Sequence, residues 1–189
     1  MDLRNSQPLV LSSNVTHAHD ETALFERLVL EINQAGLSWL TILSKRENFR
    51  AAFDNFDVDK VAAYGSRERS RLLADAGIVR NRLKVDAAIT NARRLIDLRR
   101  SHGSFAEWLD AYHPLDKAAW VKLFKQTFAF TGGEITGEFL LSTGYLPGAH
   151  EESCPVYREI VRLKPPWLRP VRRAPTGVAI KVNKIRRER

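Results

Sequence analysis

The chain has 189 residues, 44% hydrophobic and 28% charged, with a single cysteine and a net charge of +8. That length fits one domain with a sizeable core, and one cysteine excludes an internal disulfide. No apolar run reaches membrane-spanning length, and the first residues lack a basic-then-apolar secretion signal. A cytoplasmic, soluble protein is expected.

In chain order, residues 1–19 show no periodicity and read as an irregular segment. From Asp20 to about Gly144 the pattern is helical, with no convincing alternating strand, so the expected class is all-α. Asp20 and Glu21 suit the start of a first helix, and Gly36 suits the position just past its end. Ser38 can cap a second helix through roughly Phe53, Asp57 opens a short one through Ala63, and Ser66 opens another through Ala76. Asn81 to about His102 reads as a long helix. Shorter ones follow at Ser104–Tyr112 and Asp116–Lys125, divided by His113-Pro114, and Gly133–Thr143 is the last helix of the core. The domain is expected to span residues 20–156.

Residues 157–189 form a basic, proline-containing tail, in which 161–189 carry ten Lys/Arg against Glu188 alone. Pro165, Pro166, Pro170 and Pro175 forbid a continuous helix up to Pro175. Such a tail suits an arm laid on a polyanion, most simply nucleic acid phosphates; a solubilising extension would have the same composition.

The most informative stretch is LVLEINQAGLSW, Leu28 to Trp39. At 100° per residue Leu24, Leu28 and Ala35 fall within about 40° of one another, and Glu31 sits at about −20° from Leu24, at the edge of that apolar arc. Glu26 and Asn33 point the opposite way. A carboxylate beside an indole is what a pocket for a flat, electron-poor ring requires. The same spacing also allows an Arg27–Glu31 ion pair at the rim of the core.

The turn Ala76-Gly77-Ile78-Val79-Arg80-Asn81 joins two helices and places Arg80, Arg82 and Lys84 at the start of the longer one. Helix amides backed by cations form a phosphate site, compatible with a helix-hairpin-helix that grips the DNA backbone without reading sequence.

Three segments together resemble the 3-methyladenine DNA glycosylase I family: HDETALFERLVLEINQAGLSWLTILSKRENFRAAF (His19–Phe53), DAGIVRNRLKVDAAITNAR (Asp75–Arg93) and FAFTGGEITGEFLLSTGYLPGAHEESC (Phe128–Cys154). The resemblance implies an all-α helix-hairpin-helix repair fold that hydrolyses 3-methyladenine from alkylated double-stranded DNA, acting as a monomer. By the same resemblance Glu31 is the base-recognition and catalytic glutamate and Trp39 the stacking wall. Gln34, Gly36 and Leu37 lie in the loop that approaches the lesion, Leu37 as an apolar plug for the vacated gap. Gly77, Val79, Arg80, Arg82 and Lys84 would contact DNA.

The chain departs from the family near its start, where Leu9, Val10 and Asn14 stand in place of a tyrosine, a histidine and a tryptophan. Phe130 or Trp167 could replace the missing pocket walls. The family's zinc clasp keeps only His150 and Cys154, with His17 or His19 as further donors; that set is incomplete, and the chemistry requires no cofactor. The expected activity is excision of N3-methylated adenine. A non-catalytic DNA-binding relative, or a glycosylase for a different alkylated base, are the alternatives.

Overall fold

The computed structural model describes residues 20–169, and every regular element within them is helical. The first helix, α1 (Glu21–Gln34), begins where Asp20 Oδ1 accepts the Thr22 amide at 3.0 Å. It ends before Gly36, whose φ of 83° is the left-handed conformation that glycine adopts without strain. The expectation of a helix with one solvent face fails here. All ten residues from Leu24 to Asn33 are buried, because α1 touches four other helices and serves as the spine of the fold. Glu26, expected to face water, is instead gripped by Arg46 at 2.6 Å and Arg50 at 3.0 Å. Asn33 folds back on its own helix, Nδ2 donating to Val29 O at 2.8 Å.

The single helix expected from Ser38 to Phe53 is two, α2 (Trp39–Ser44) and α3 (Arg46–Ala52), broken at Lys45. Lys45 has φ −100°, ψ 0°, its amide bonds back to Ile42 O, and its ammonium donates to Ala76 O and Gly77 O at 3.0 and 3.2 Å. A left-handed turn, Asp54–Phe56, then stacks Phe56 on Phe53 and sets it edge-on to Phe25. Asp57 caps α4 (Val58–Ala62) through two backbone amides. The next helix, α5 (Ser66–Ala74), stops two residues short of expectation, since Asp75 turns the chain by accepting the Gly77 amide at 2.7 Å.

The long helix α6 (Arg82–His102) starts at Asn81 as expected. After it, α7 (Phe105–Tyr112), α8 (Lys117–Thr127) and α9 (Gly133–Thr143) enclose an aromatic cluster of Phe105, Trp108, Trp120, Phe124, Phe128 and Phe139. The boundary expected after residue 156 falls inside one more helix, α10 (Pro155–Arg162), opened by proline at its first position. Beyond it Pro165 and Pro166 lie buried against Gly144, Trp167 N donates to Gly144 O at 2.9 Å, and Arg169 pairs with Asp110 at 3.0 Å. The chain is therefore folded onto the body as far as Arg169, and only 170–189 of the expected tail lies outside the described residues.

Lys84 corrects another expectation. It is 5% exposed, and its ammonium donates to Asn33 O at 2.9 Å and Ala35 O at 2.6 Å, the orphan carbonyls at the end of α1. It locks α6 to α1 and is unavailable to a phosphate. Replacing it, as Lys84→Met, is expected to lower stability by about 1–3 kcal/mol in urea denaturation, while the salt dependence of DNA binding stays that of the wild type.

Candidate active site

Glu31 lies in the middle of α1 at 2% exposure. Its Oε1 is 2.6 Å from a guanidinium nitrogen of Arg27, one turn earlier on the same helix. The ion pair anticipated at that spacing is thus formed, but inside the protein and not at its rim. The same guanidinium lies over the Trp39 ring, its central carbon 4.5 Å from the ring centroid. Its Nε donates to the buried Ser142 Oγ of α9 at 2.8 Å. The carboxylate and the indole are thus both touched by one planar cation of the protein's own. Ser142 had no signal in the sequence; its role emerges only because α9 packs across α1.

Burial pushes the Glu31 carboxyl up to about 7; Arg27 pulls it down, and the charge of Glu138 on α9 adds a smaller upward push. Burial also lowers Arg27, against the attraction of Glu31 and Glu138. A nearly dry pair of this kind is costly to break from one side. Trp39 keeps one further opening: its indole Nε1 is buried with no hydrogen-bond partner, a donor that a ligand acceptor would satisfy. Gln34 sits half-buried at the end of α1. Gly36 and Leu37 form the exposed turn after it, Leu37 at 42% exposure.

The hairpin between α5 and α6 lies beside this loop, since Lys84 joins the two through the carbonyls of Asn33 and Ala35. A Cβ on Gly77 would stand 2.9 Å from Asp75 Oδ1 and 3.2 Å from Asn48 Cβ, so the turn is packed too closely for a side chain. The amides at the start of α6 are not all open to a phosphate. Asn81 Oδ1 accepts those of Leu83 and Lys84, leaving those of Val79, Arg80 and Arg82 without an internal partner among the described residues. Val79 is half-buried, whereas Arg80 and Arg82 are exposed.

Phe130 is 40% exposed at φ 59°, a conformation few non-glycine residues adopt. It is held there by the fully buried Asn91, whose amide group bonds both Ala129 O at 3.2 Å and Ala129 N at 2.7 Å. Phe130 lines a cavity of about 420 Å³ with Lys125, Phe128, Thr131, Gly132 and Ile135; neither Glu31 nor Trp39 borders it. The Trp167 ring lies 6.4 Å from that of Tyr157. His150 Nδ1 and Cys154 Sγ meet at 3.4 Å, but among the described residues no third donor joins them. The pair alone does not fit a zinc centre, which needs four ligands. His17 and His19, like Leu9, Val10 and Asn14, lie outside the described residues.

If Arg27 and Glu31 balance each other's buried charge, Glu31→Leu should destabilise the fold by about 3–5 kcal/mol. Adding Arg27→Met should recover much of that loss. A double-mutant cycle in urea denaturation measures the coupling, and additive single effects would show that the pair is not coupled.

Comparison with known proteins gives the chain a family. Residues 14–123 match the methyladenine glycosylase family. The chain is 47% identical over 90 residues to DNA-3-methyladenine glycosylase 1 of Escherichia coli, 48% of each chain. It is 31% identical to DNA-3-methyladenine glycosylase of Haemophilus influenzae, over 72% of this chain and 83% of that one. Among solved structures, the Staphylococcus aureus 3-methyladenine DNA glycosylase I superposes with a TM-score of 0.67 at 33% identity, covering 72% of this chain and 82% of that one. A tyrosine-to-phenylalanine variant of 3-methyladenine DNA glycosylase I, solved with 3-methyladenine, gives 0.66 at 30%, covering 75% and 90%. The chain belongs to the methyladenine glycosylase family.

Proposed function

We propose that this protein is a monofunctional DNA glycosylase that hydrolyses the N-glycosidic bond of N3-alkylated adenine in double-stranded DNA. One observation carries the reading: a buried carboxylate and an indole face are both engaged by one flat cation, the Arg27 guanidinium. A 3-alkylated adenine in DNA is likewise flat and cationic. The family membership and the relatives named for 3-methyladenine point the same way.

The lesion is reached by rotating its nucleotide out of the duplex, at a cost of a few kcal/mol that weakened pairing reduces. Leu37 supports occupation of the gap, and Arg80 and Arg82 hold the flanking phosphates. The glycosidic bond then breaks with its electron pair leaving on the base, which becomes neutral. Water adds to the sugar carbon and gives up a proton. Glu31 stabilises positive charge, first on the base and then on the sugar. A nucleophilic lysine is not needed. The protein acts as a monomer in the cytoplasm, at the nucleoid. No helix among the described residues is long and apolar enough to cross a membrane.

On methylated DNA, Glu31→Gln is expected to reduce base release by about 100-fold. Trp39→Ala should reduce it by about tenfold or more, the value of one lost base–aromatic stack. Equal release by wild type and both variants would remove these residues from the mechanism. Salt-sensitive binding with no release from any alkylated duplex would mark a non-catalytic relative.

The carboxyl must be ionised to hold a cation. Since Glu31 is raised to about 7, release should be full above that pH and fall as the solution is acidified through it. A pH–rate profile flat down to the ordinary carboxylate range would contradict this.

Residues 170–189 hold seven of the basic side chains with one acid. Removing them should weaken DNA affinity and flatten its dependence on salt, with the melting curve unchanged. An unaltered salt slope would reject the tail as a phosphate-binding arm.

A further inference from the structure

The cation standing between Glu31 and Trp39 belongs to the chain itself, and this has a consequence for selectivity. Building on the glycosylase reading, we propose that Arg27 is the specificity-determining residue of the base site: its guanidinium holds the place of the extruded base, and only a planar cation can take that place over. Three contacts fix it there, 2.6 Å to Glu31 Oε1, 4.5 Å over the Trp39 ring and 2.8 Å from Nε to Ser142 Oγ.

These contacts copy the demands of a cationic purine in charge, in flatness and in hydrogen bonding to a carboxylate. A neutral adenine that displaced the guanidinium would leave Glu31 buried without a counter-charge. A 3-alkylated adenine inherits the ion pair and the stacking face together. The displaced guanidinium keeps Ser142 as a neighbour and has Glu138, exposed one helical turn earlier on α9, as an alternative anion. Selection against undamaged bases is thus built into the closed state of the free protein. Apparent affinity for the lesion is reduced by the fraction of molecules in which Arg27 has not moved aside.

The test uses the full-length protein and two probes, 3,9-dimethyladeninium, a permanent cation, and 9-methyladenine, its neutral counterpart. Binding is followed by calorimetry and tryptophan fluorescence in the wild type and in Arg27→Met. The wild type should bind the cation and not the neutral purine. Arg27→Met should bind the cation at least about tenfold more tightly and bind the neutral purine measurably.

About 50 mM guanidinium chloride, far below denaturing strength, should cancel the gain in Arg27→Met by refilling the site. Sodium chloride at the same concentration should not, and the wild type should respond to neither salt. Arg27→Lys keeps the charge but not the plane, so it secures the test against misfolding of the methionine variant. It should bind the cation more tightly than wild type while still excluding the neutral purine.

Cation affinity unchanged or weakened in these variants, or guanidinium acting no differently from sodium, overturns the proposal while leaving the glycosylase reading intact. Failure of every form to bind either purine, together with no release from methylated DNA, brings down that reading and the gate with it.

Discussion

Glu31 is 2% exposed in the middle of a helix whose ten central residues are all buried, and an isolated carboxylate cannot remain charged there without a partner. The surrounding structure follows from how that charge is met. Arg27 supplies the partner from one turn away, Trp39 supplies a face on which the guanidinium lies, and Ser142 fixes its remaining edge from across the core. A helix, the turn after it and a distant helix are joined at one point. The same arrangement keeps a carboxylate dry, where its pull on a positive charge is far stronger than at a wetted surface.

The scaffold around the pair keeps it from relaxing. Glu26, on another face of α1, is tied to Arg46 and Arg50 of α3. Lys84 of α6 caps the last carbonyls of α1, so the hairpin and the loop holding Gly36 and Leu37 cannot drift apart. Asn91, farther along α6, clamps the strained turn at Phe130 from both sides of Ala129. A site assembled from several buried polar anchors is held more tightly than one carried on a free loop.

Much of this was legible in the sequence where the signal was local. Asp20, Ser38, Asp57, Asn81, Ser104 and Asp116 all cap helices through their side chains, as their residue types predict. Glu31 and Trp39 stood out because four-residue and turn spacings are properties of a single segment. The unread part was tertiary. Nothing local distinguishes a lysine that reaches phosphate from one that caps a neighbouring helix, and Lys84 does the latter. Nor does one strand of sequence show that α3 and α9 cover the polar side of α1, which turned an expected solvent face into a buried one. The helix at Pro155–Arg162 went unread because it crosses the boundary placed after residue 156, although proline suits the first position of a helix.

How a body that is slightly acidic over residues 1–160 can hold DNA is a question of where its cations are committed. Arg27, Arg46, Arg50, Lys84 and Arg99 are engaged with internal carboxylates or carbonyls, and none of them is free for a phosphate. What remains beside the Leu37 loop is Arg80, outside any ion pair among the described residues, and Arg82, whose only such contact is a loose 3.8 Å approach to Asp86. Two exposed cations and a few turn amides can orient a duplex, but they neutralise few phosphates. On the proposed reading, their placement beside the Gly36–Leu37 turn, rather than their number, would aim a damaged nucleotide at Glu31. On the same reading, the seven basic residues of 170–189 would add attraction that needs no register. Grip and aim would then come from different parts of the chain, so that a recognition site at Glu31 can remain dry within a protein of high net positive charge.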